Sequence, residues 1–359
     1  MTARLIVHLG PHKTATSLFQ AALFGAADDL TRADIHLAST GRRGNGHHDL
    51  AAALMQGDRA INADTAGRQL AGWSELRTEL DALDDRSTLI VTSENFSQVG
   101  DAEVAAIEPL LADVDVTILC GLRDPVALVP SLWQEGIKWS RQWSLDEAAP
   151  LLLGDDRVQL FPVLGRWRAA AGATNVGAVV VPGHGSASAL DGLAAALEVD
   201  RATFESWSSG VANPSLSWVH AEAIRAVSTA MDPTDSRDTL VERQRMAQSF
   251  AGYPLTELDA TPPSLTADTA AAAQHQRTRL IERIGPSDVT LHGDLTMLAA
   301  DARAPATPPG DDAIAAALEQ LAAHDRSAGA CHVTAIDAAR SQLAAHPPRR
   351  SLLGRLRRR

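Results

Sequence analysis

Leu5-Ile6-Val7-His8-Leu9-Gly10-Pro11-His12-Lys13-Thr14-Ala15-Thr16-Ser17-Leu18-Phe19-Gln20 joins an apolar run to a Gly-Pro break, a lysine among small and hydroxyl residues, and a helical pattern. The run is short and extended, and Gly10 and Pro11 end it. Apolar residues then recur at Ala15, Leu18, Phe19, Ala22 and Leu23, the spacing of one helix face. The segment therefore predicts strand, loop and helix. The loop falls at the helix N-terminus, where backbone N–H groups lack intrahelical partners and the helix dipole favours negative charge. Lys13 adds a point charge and Thr14, Thr16 and Ser17 add hydroxyl donors, so the expected guest is a phosphate or sulfate.

Working outward, extended apolar segments at residues 4–9, 88–93, 116–122 and 176–181 alternate with helical stretches, among them 185–200 and 214–230. This is the pattern of an α/β fold with a central parallel sheet covered on both faces, a three-layer α/β/α arrangement. Such sheets bind ligands outside the carboxyl ends of their strands. Gly10, Glu94 and Arg123 all fall at those ends.

The spacing around Lys13 differs from that of a Walker A loop, which has its first glycine six residues before the lysine and another immediately before it. Here Gly10 is three residues upstream and His12 precedes Lys13. A second motif lies about 110 residues downstream, in Val116-Thr117-Ile118-Leu119-Cys120-Gly121-Leu122-Arg123-Asp124-Pro125-Val126-Ala127-Leu128-Val129-Pro130-Ser131. An apolar strand ends at Arg123, Asp124 caps the next helix, and Pro125 takes the first helical position, where a missing N–H costs nothing. Ser131, two turns further on, falls beneath Asp124, on the side facing the strand end. Pro130 inside that helix predicts a kink.

These two segments resemble the 5′-phosphosulfate loop and the 3′-phosphate motif of sulfotransferases, particularly the bacterial and Golgi-like branches. The loop departs from the family at Ala15, where glycine is usual. Leu89-Ile90-Val91-Thr92-Ser93-Glu94-Asn95-Phe96 is similar to the family strand that ends in Ser-Ser-Glu, and Asn213-Pro214-Ser215-Leu216-Ser217, followed by Glu222 and Arg225, to a later family segment. The resemblance runs from residue 4 to about 225, and the RKGxxGxWK segment of the cytosolic branch is absent. It implies a P-loop-NTPase-like sulfotransferase fold and the co-substrate 3′-phosphoadenosine 5′-phosphosulfate (PAPS). It also implies donor contacts from Gly10, Pro11, His12, Lys13, Thr14, Ala15, Thr16 and Ser17, with Arg123 and Ser131 on the 3′-phosphate and no metal. Lys138 and Arg141 are nearby cations that also suit a solvated helix surface.

Transfer of a sulfuryl group needs stabilisation of the charge on the leaving oxygen, a task for Lys13, and a base for the acceptor. Glu94, at a strand end, is one candidate, supported by the matching family glutamate. The pair His47 and His48, in Gly44-Asn45-Gly46-His47-His48-Asp49, is the other, imidazole being suited to proton transfer near neutral pH. His184 also follows a strand. Trp133, Trp139, Trp143 and Trp167 are core residues or walls of an acceptor pocket. The expected acceptor is a hydroxyl or amine of a carbohydrate or small molecule. The alternative is a nucleoside-triphosphate-dependent kinase or hydrolase, with Glu94 holding magnesium.

Across the whole chain of 359 residues, 45% hydrophobic content is ample for a core. A net charge of −12 gives no global attraction to nucleic acid, so an anion site must be local. Cys120 and Cys331 form no disulfide framework, no leader or membrane-spanning run stands out, and a cytoplasmic location is expected. The expected organisation is a sulfotransferase domain over residues 1–300, peripheral helices over 301–346 after the Pro-rich linker near Pro305 to Gly310, and a basic disordered tail over 347–359. Contact of that tail with an acidic membrane is weakly supported, its apolar face being only a few leucines.

Overall fold

The computed structural model describes residues 3–55, 63–173, 175–182, 186–207, 215–231, 236–299, 303–329 and 332–345. His184, Asn213, Pro214, Cys331 and the basic tail therefore lie outside the described residues. Two compact units are formed. The first takes residues 1–128, 152–213 and 272–303, and the second takes residues 129–151, 214–271 and 304–359.

The first unit is built on six parallel strands: β1 (Arg4–Leu9), β2 (Ile35–Leu37), β3 (Thr88–Thr92), β4 (Asp115–Arg123), β5 (Asn175–Val181) and β6 (Thr290–His292). Their order across the sheet is β2-β3-β1-β4-β5-β6. The four long apolar segments are thus strands, and the two short outer ones add to them. With β1 between β3 and β4, His8 aligns with Thr92 and Leu9 with Cys120, so β1 and β3 end at nearly the same level while β4 runs on past them to Arg123. The chain leaves β1 towards one edge and β4 towards the other, the kind of position where open parallel sheets bind ligands.

Both faces of this sheet are covered, which is why its strands are continuously apolar rather than alternating. On one face Leu5, Val7, Leu9, Val91, Ile118 and Cys120 pack with Trp73, Phe96 and Trp167. On the other, Ile6, Ile90, Leu119 and Val179 meet Phe19 and Leu23 of α1 (Thr16–Gly25), with Leu190, Leu193 and Phe204. Phe96 lies with its ring centroid 5.4 Å from Trp167 and 6.0 Å from Trp73. Trp167 Nε1 donates to the Phe96 carbonyl at 3.0 Å. Burying each such ring contributes on the order of 2–3 kcal/mol, and the cluster fixes the short helix Glu94–Gln98 that begins with Glu94.

The second unit is helical. Trp218–Ala230 packs against Asp311–Ser327 and Val333–Ala345, and Arg237–Ala251 lies beside it. His220 Nε2 is 2.9 Å from the Phe250 carbonyl, and Asp325, fully buried, holds both the backbone N–H and Nδ1 of His332 at 2.8 Å. The Pro-rich linker is tied in, since Ala306 N–H donates to Leu265 and Ser264 Oγ to Ala304. Ser217 caps Trp218–Ala230 by accepting from His220 N–H, and Glu222 pairs with Arg225 at 2.7 Å. No helix among the described residues is long and apolar enough to cross a membrane.

Candidate functional site

Residues 10–17 follow β1 and enter α1. Thr14 donates both its N–H and its hydroxyl to the Pro11 carbonyl, at 3.3 and 2.8 Å, and is buried. Its hydroxyl is therefore engaged in shaping the loop. Lys13 and Ala15 take the left-handed backbone conformation, with φ of 72° and 61°. A residue with a Cβ loses roughly 1–2 kcal/mol there, which gives a physical reason for the glycine that resembling loops have at Ala15.

The turn is possible because of what β4 lacks. A Cβ on Gly121 would lie 2.6 Å from the Thr14 carbonyl oxygen and 2.7 Å from Thr14 Oγ1. From the end of the same strand, Arg123 donates from Nη1 to the Lys13 carbonyl at 2.8 Å. The sequence reading gives Arg123 a role towards an anion; the structure adds that it holds the loop.

No side chain caps the N-terminus of α1, and its first turn carries no acidic residue. Thr16 is the first residue of this helix. Its Oγ1 is buried with no hydrogen-bond partner among the described residues. An unpaired buried hydroxyl beside uncapped backbone N–H groups suits an external oxyanion. Ser17 is exposed, whereas Pro11 is buried and His12 and Lys13 are half-buried.

Next to this loop, at the end of β3, the structure brings both base candidates together. Glu94 Oε2 accepts from Gln20 Nε2 at 3.1 Å and lies 4.0 Å from His48 Nδ1, which is itself 3.0 Å from Ser93 Oγ. Both side chains keep about a fifth of their surface in contact with solvent, 22% for Glu94 and 21% for His48. Gly46 makes the close packing possible, since a Cβ there would meet His48 Nε2 at 2.6 Å and Gln20 Nε2 at 2.9 Å.

His47 has a different fate from its neighbour. It is fully buried, its Nε2 lies 2.8 Å from the Ala38 carbonyl, and its Nδ1 accepts from Thr92 N–H at 2.9 Å. Its own N–H donates to the Thr92 carbonyl at 2.7 Å. Accepting at Nδ1 places the remaining proton on Nε2, where it meets a carbonyl, so the ring is neutral. Burial pushes its pKa down, against the two backbone bonds. His47 is a structural clamp between the ends of β2 and β3, and only His48 of the pair stands beside Glu94.

Beneath the loop, His8 of β1 is also buried, with Nδ1 2.7 Å from Thr92 Oγ1, and burial lowers its pKa to about 4. Asp124 caps the following helix as expected, accepting from Val126 N–H at 3.0 Å, and its other oxygen takes Arg277 Nη1 at 3.1 Å. Burial raises the Asp124 pKa, opposed by Val126 N–H and Arg277. The helix Pro125–Lys138 runs on through Pro130.

Gln20, Ser93, Gly121 and Arg277 were not singled out by sequence reasoning. Only Gln20 left a signal, as a polar residue on the apolar face of a helix. Ser131 is half-buried in the part of Pro125–Lys138 that belongs to the second unit. In that unit Lys138 lies 4.0 Å from Glu135, and Arg141 sits over Trp143, in keeping with a solvated surface. Trp133 and Trp167 are core residues, whereas Trp139 and Trp143 are exposed. No group of three or more His, Cys, Asp or Glu residues is arranged to hold a metal ion among the described residues. The chain matches no family model, no curated protein and no solved structure.

Proposed function

We propose that the protein is a PAPS-dependent sulfotransferase, on the P-loop-like fold that its two motifs resemble, acting on a hydroxyl or amine of a carbohydrate or small molecule. The observation that carries this reading is the meeting of three elements on adjacent strands. The loop lies at the end of β1, Glu94 at the end of β3, and Arg123 at the end of β4. An anion-binding helix start with a carboxylate–imidazole pair beside it is what transfer of an anionic group to a protonated acceptor requires.

The donor, when bound, supplies a sulfuryl group activated by its anhydride link to the 5′-phosphate. The N–H groups at the start of α1, Thr16 Oγ1 and the Lys13 ammonium hold that end and stabilise the negative charge left on the phosphate oxygen as the S–O bond breaks. Glu94 takes the proton from the acceptor hydroxyl as its oxygen bonds to sulfur. Gln20 orients the carboxylate, and His48 stands 4.0 Å from it. Ser93, held by the His8 carbonyl through its N–H, fixes His48 in turn.

The test is donor identity followed by transfer. Stabilisation against heat by 3′-phosphoadenosine 5′-phosphate without magnesium, and transfer of label from radioactive PAPS to an acceptor, are expected. The Lys13→Ala protein should lose roughly 100-fold or more in turnover. Stabilisation by ATP with magnesium alone would replace this reading with that of a kinase or hydrolase.

A further inference from the structure

Trp139 and Trp143 stand on the turn at residues 139–144 of the second unit, 54% and 46% exposed, in a chain with only seven tryptophans. The turn is tightly held. Ser140 N–H donates to Ile137 and Arg141 N–H to Gly136, each at 2.9 Å. Trp133 Nε1 donates to the Trp143 carbonyl at 2.8 Å, and Gln142 Nε2 to the Ser228 carbonyl at 2.8 Å. Ser140 adopts a left-handed backbone with φ of 62°, a conformation that disfavours side chains and persists only when its surroundings impose it.

This tightly held turn keeps both indoles half exposed, and an indole offers an apolar face with a single N–H at its edge, which suits an amphipathic ligand. Trp139 Nε1 is bonded to Glu135 Oε1 at 3.2 Å, which orients that ring. The Arg141 guanidinium lies 5.6 Å from the Trp143 ring centroid, is exposed, and makes no ion pair among the described residues. The two half-exposed rings offer about 250 Å² in total, against the roughly 800 Å² per partner of a stable dimer. The occupant is therefore small, with an apolar face for an indole and a negative group for Arg141.

We propose that this turn is a binding platform for an acidic saccharide. The C–H face of a pyranose ring stacks on the electron-rich indole face, and a carboxylate or sulfate on the sugar meets Arg141. Binding at this turn is read without donor and without turnover, so its failure would leave the transferase reading intact.

The test is titration of the full chain with a hyaluronan hexasaccharide, followed by tryptophan emission and calorimetry, with maltohexaose as the neutral comparison. Saturable binding of the acidic sugar is expected, weakened about 10-fold or more by Trp139→Ala and by Trp143→Ala and largely kept by Trp139→Phe. Arg141→Gln should remove most of the preference for the acidic over the neutral sugar. Absence of saturable binding by the parent protein, or binding unaffected by the tryptophan changes, overturns the platform. Equal affinity for both sugars overturns its acidic specificity. Self-association in sedimentation that Trp139→Ala abolishes would assign the face to a second copy of the chain and overturn the proposal as well.

Discussion

Arg123 donates from Nη1 to the carbonyl of Lys13 at 2.8 Å, tying the end of β4 to the loop after β1. The carbonyl belongs to a residue in the left-handed conformation, so the bond stabilises a backbone path that Lys13 would otherwise leave. A hydrogen bond from a cation contributes roughly 1.5–3 kcal/mol. Arg123→Ala is therefore expected to weaken binding of 3′-phosphoadenosine 5′-phosphate by about 10- to 100-fold and to lower turnover as well. Calorimetry showing unchanged affinity would remove Arg123 from the site.

Gly121→Ala tests the same loop from below. The added Cβ would lie 2.6 Å from the Thr14 carbonyl oxygen, a backbone atom that cannot swing aside. Overpacking of this kind costs about 1–3 kcal/mol. The variant should unfold at lower denaturant concentration and bind the nucleotide more weakly. A Gly154→Ala control, where nothing lies within 4 Å, should not show the loss of nucleotide binding.

Glu94→Gln should reduce turnover about 100-fold or more, with nucleotide affinity unchanged, because the amide keeps the shape but takes no proton. His48→Ala is expected to cost less, since the imidazole stands 4.0 Å from the carboxylate and does not itself take the proton. Single-turnover measurements across pH distinguish the two. Full activity in Glu94→Gln, with loss in His48→Ala, would transfer the base role to the imidazole.

His8 predicts how stability varies with pH. The unfolded chain binds its proton near the ordinary value of 6.5, whereas the buried ring in the fold resists protonation down to about 4. Between those values the unfolded state holds more protons, so stability rises with pH. The contribution is complete above 6.5 and is lost as pH falls towards 4, amounting to about 3 kcal/mol. Burial of His47 acts in the same direction. Urea unfolding at several pH values should show a shallower dependence in His8→Gln, and an unaltered slope would contradict it.

The long strands were legible in the sequence because a sheet buried on both faces needs unbroken apolar runs, and β1, β3, β4 and β5 supply them. β2 and β6 have three residues each, Ile35–Leu37 and Thr290–His292, too few to stand out from a loop. The loop between strand and helix was legible from Gly10 to Ser17, but the commitment of the Thr14 hydroxyl to Pro11 was not, since spacing does not reveal which donor faces inward. His47 and His48 looked equivalent as neighbours. Three-dimensional context alone sends one ring into the gap between β2 and β3 and leaves the other beside Glu94. Arg277 came from a distant helix that carries no motif, and only the burial of Asp124 calls for it.

The central place of β1 has a consequence for synthesis. The loop after β1 leaves the ribosome before the arginine that steadies it, which emerges 110 residues later. A nascent chain stopped before β4 would hold the lysine and hydroxyls of the loop without the strand neighbour that shapes them. Affinity for the proposed donor should therefore appear abruptly during translation, and its onset would time the arrival of the fourth strand.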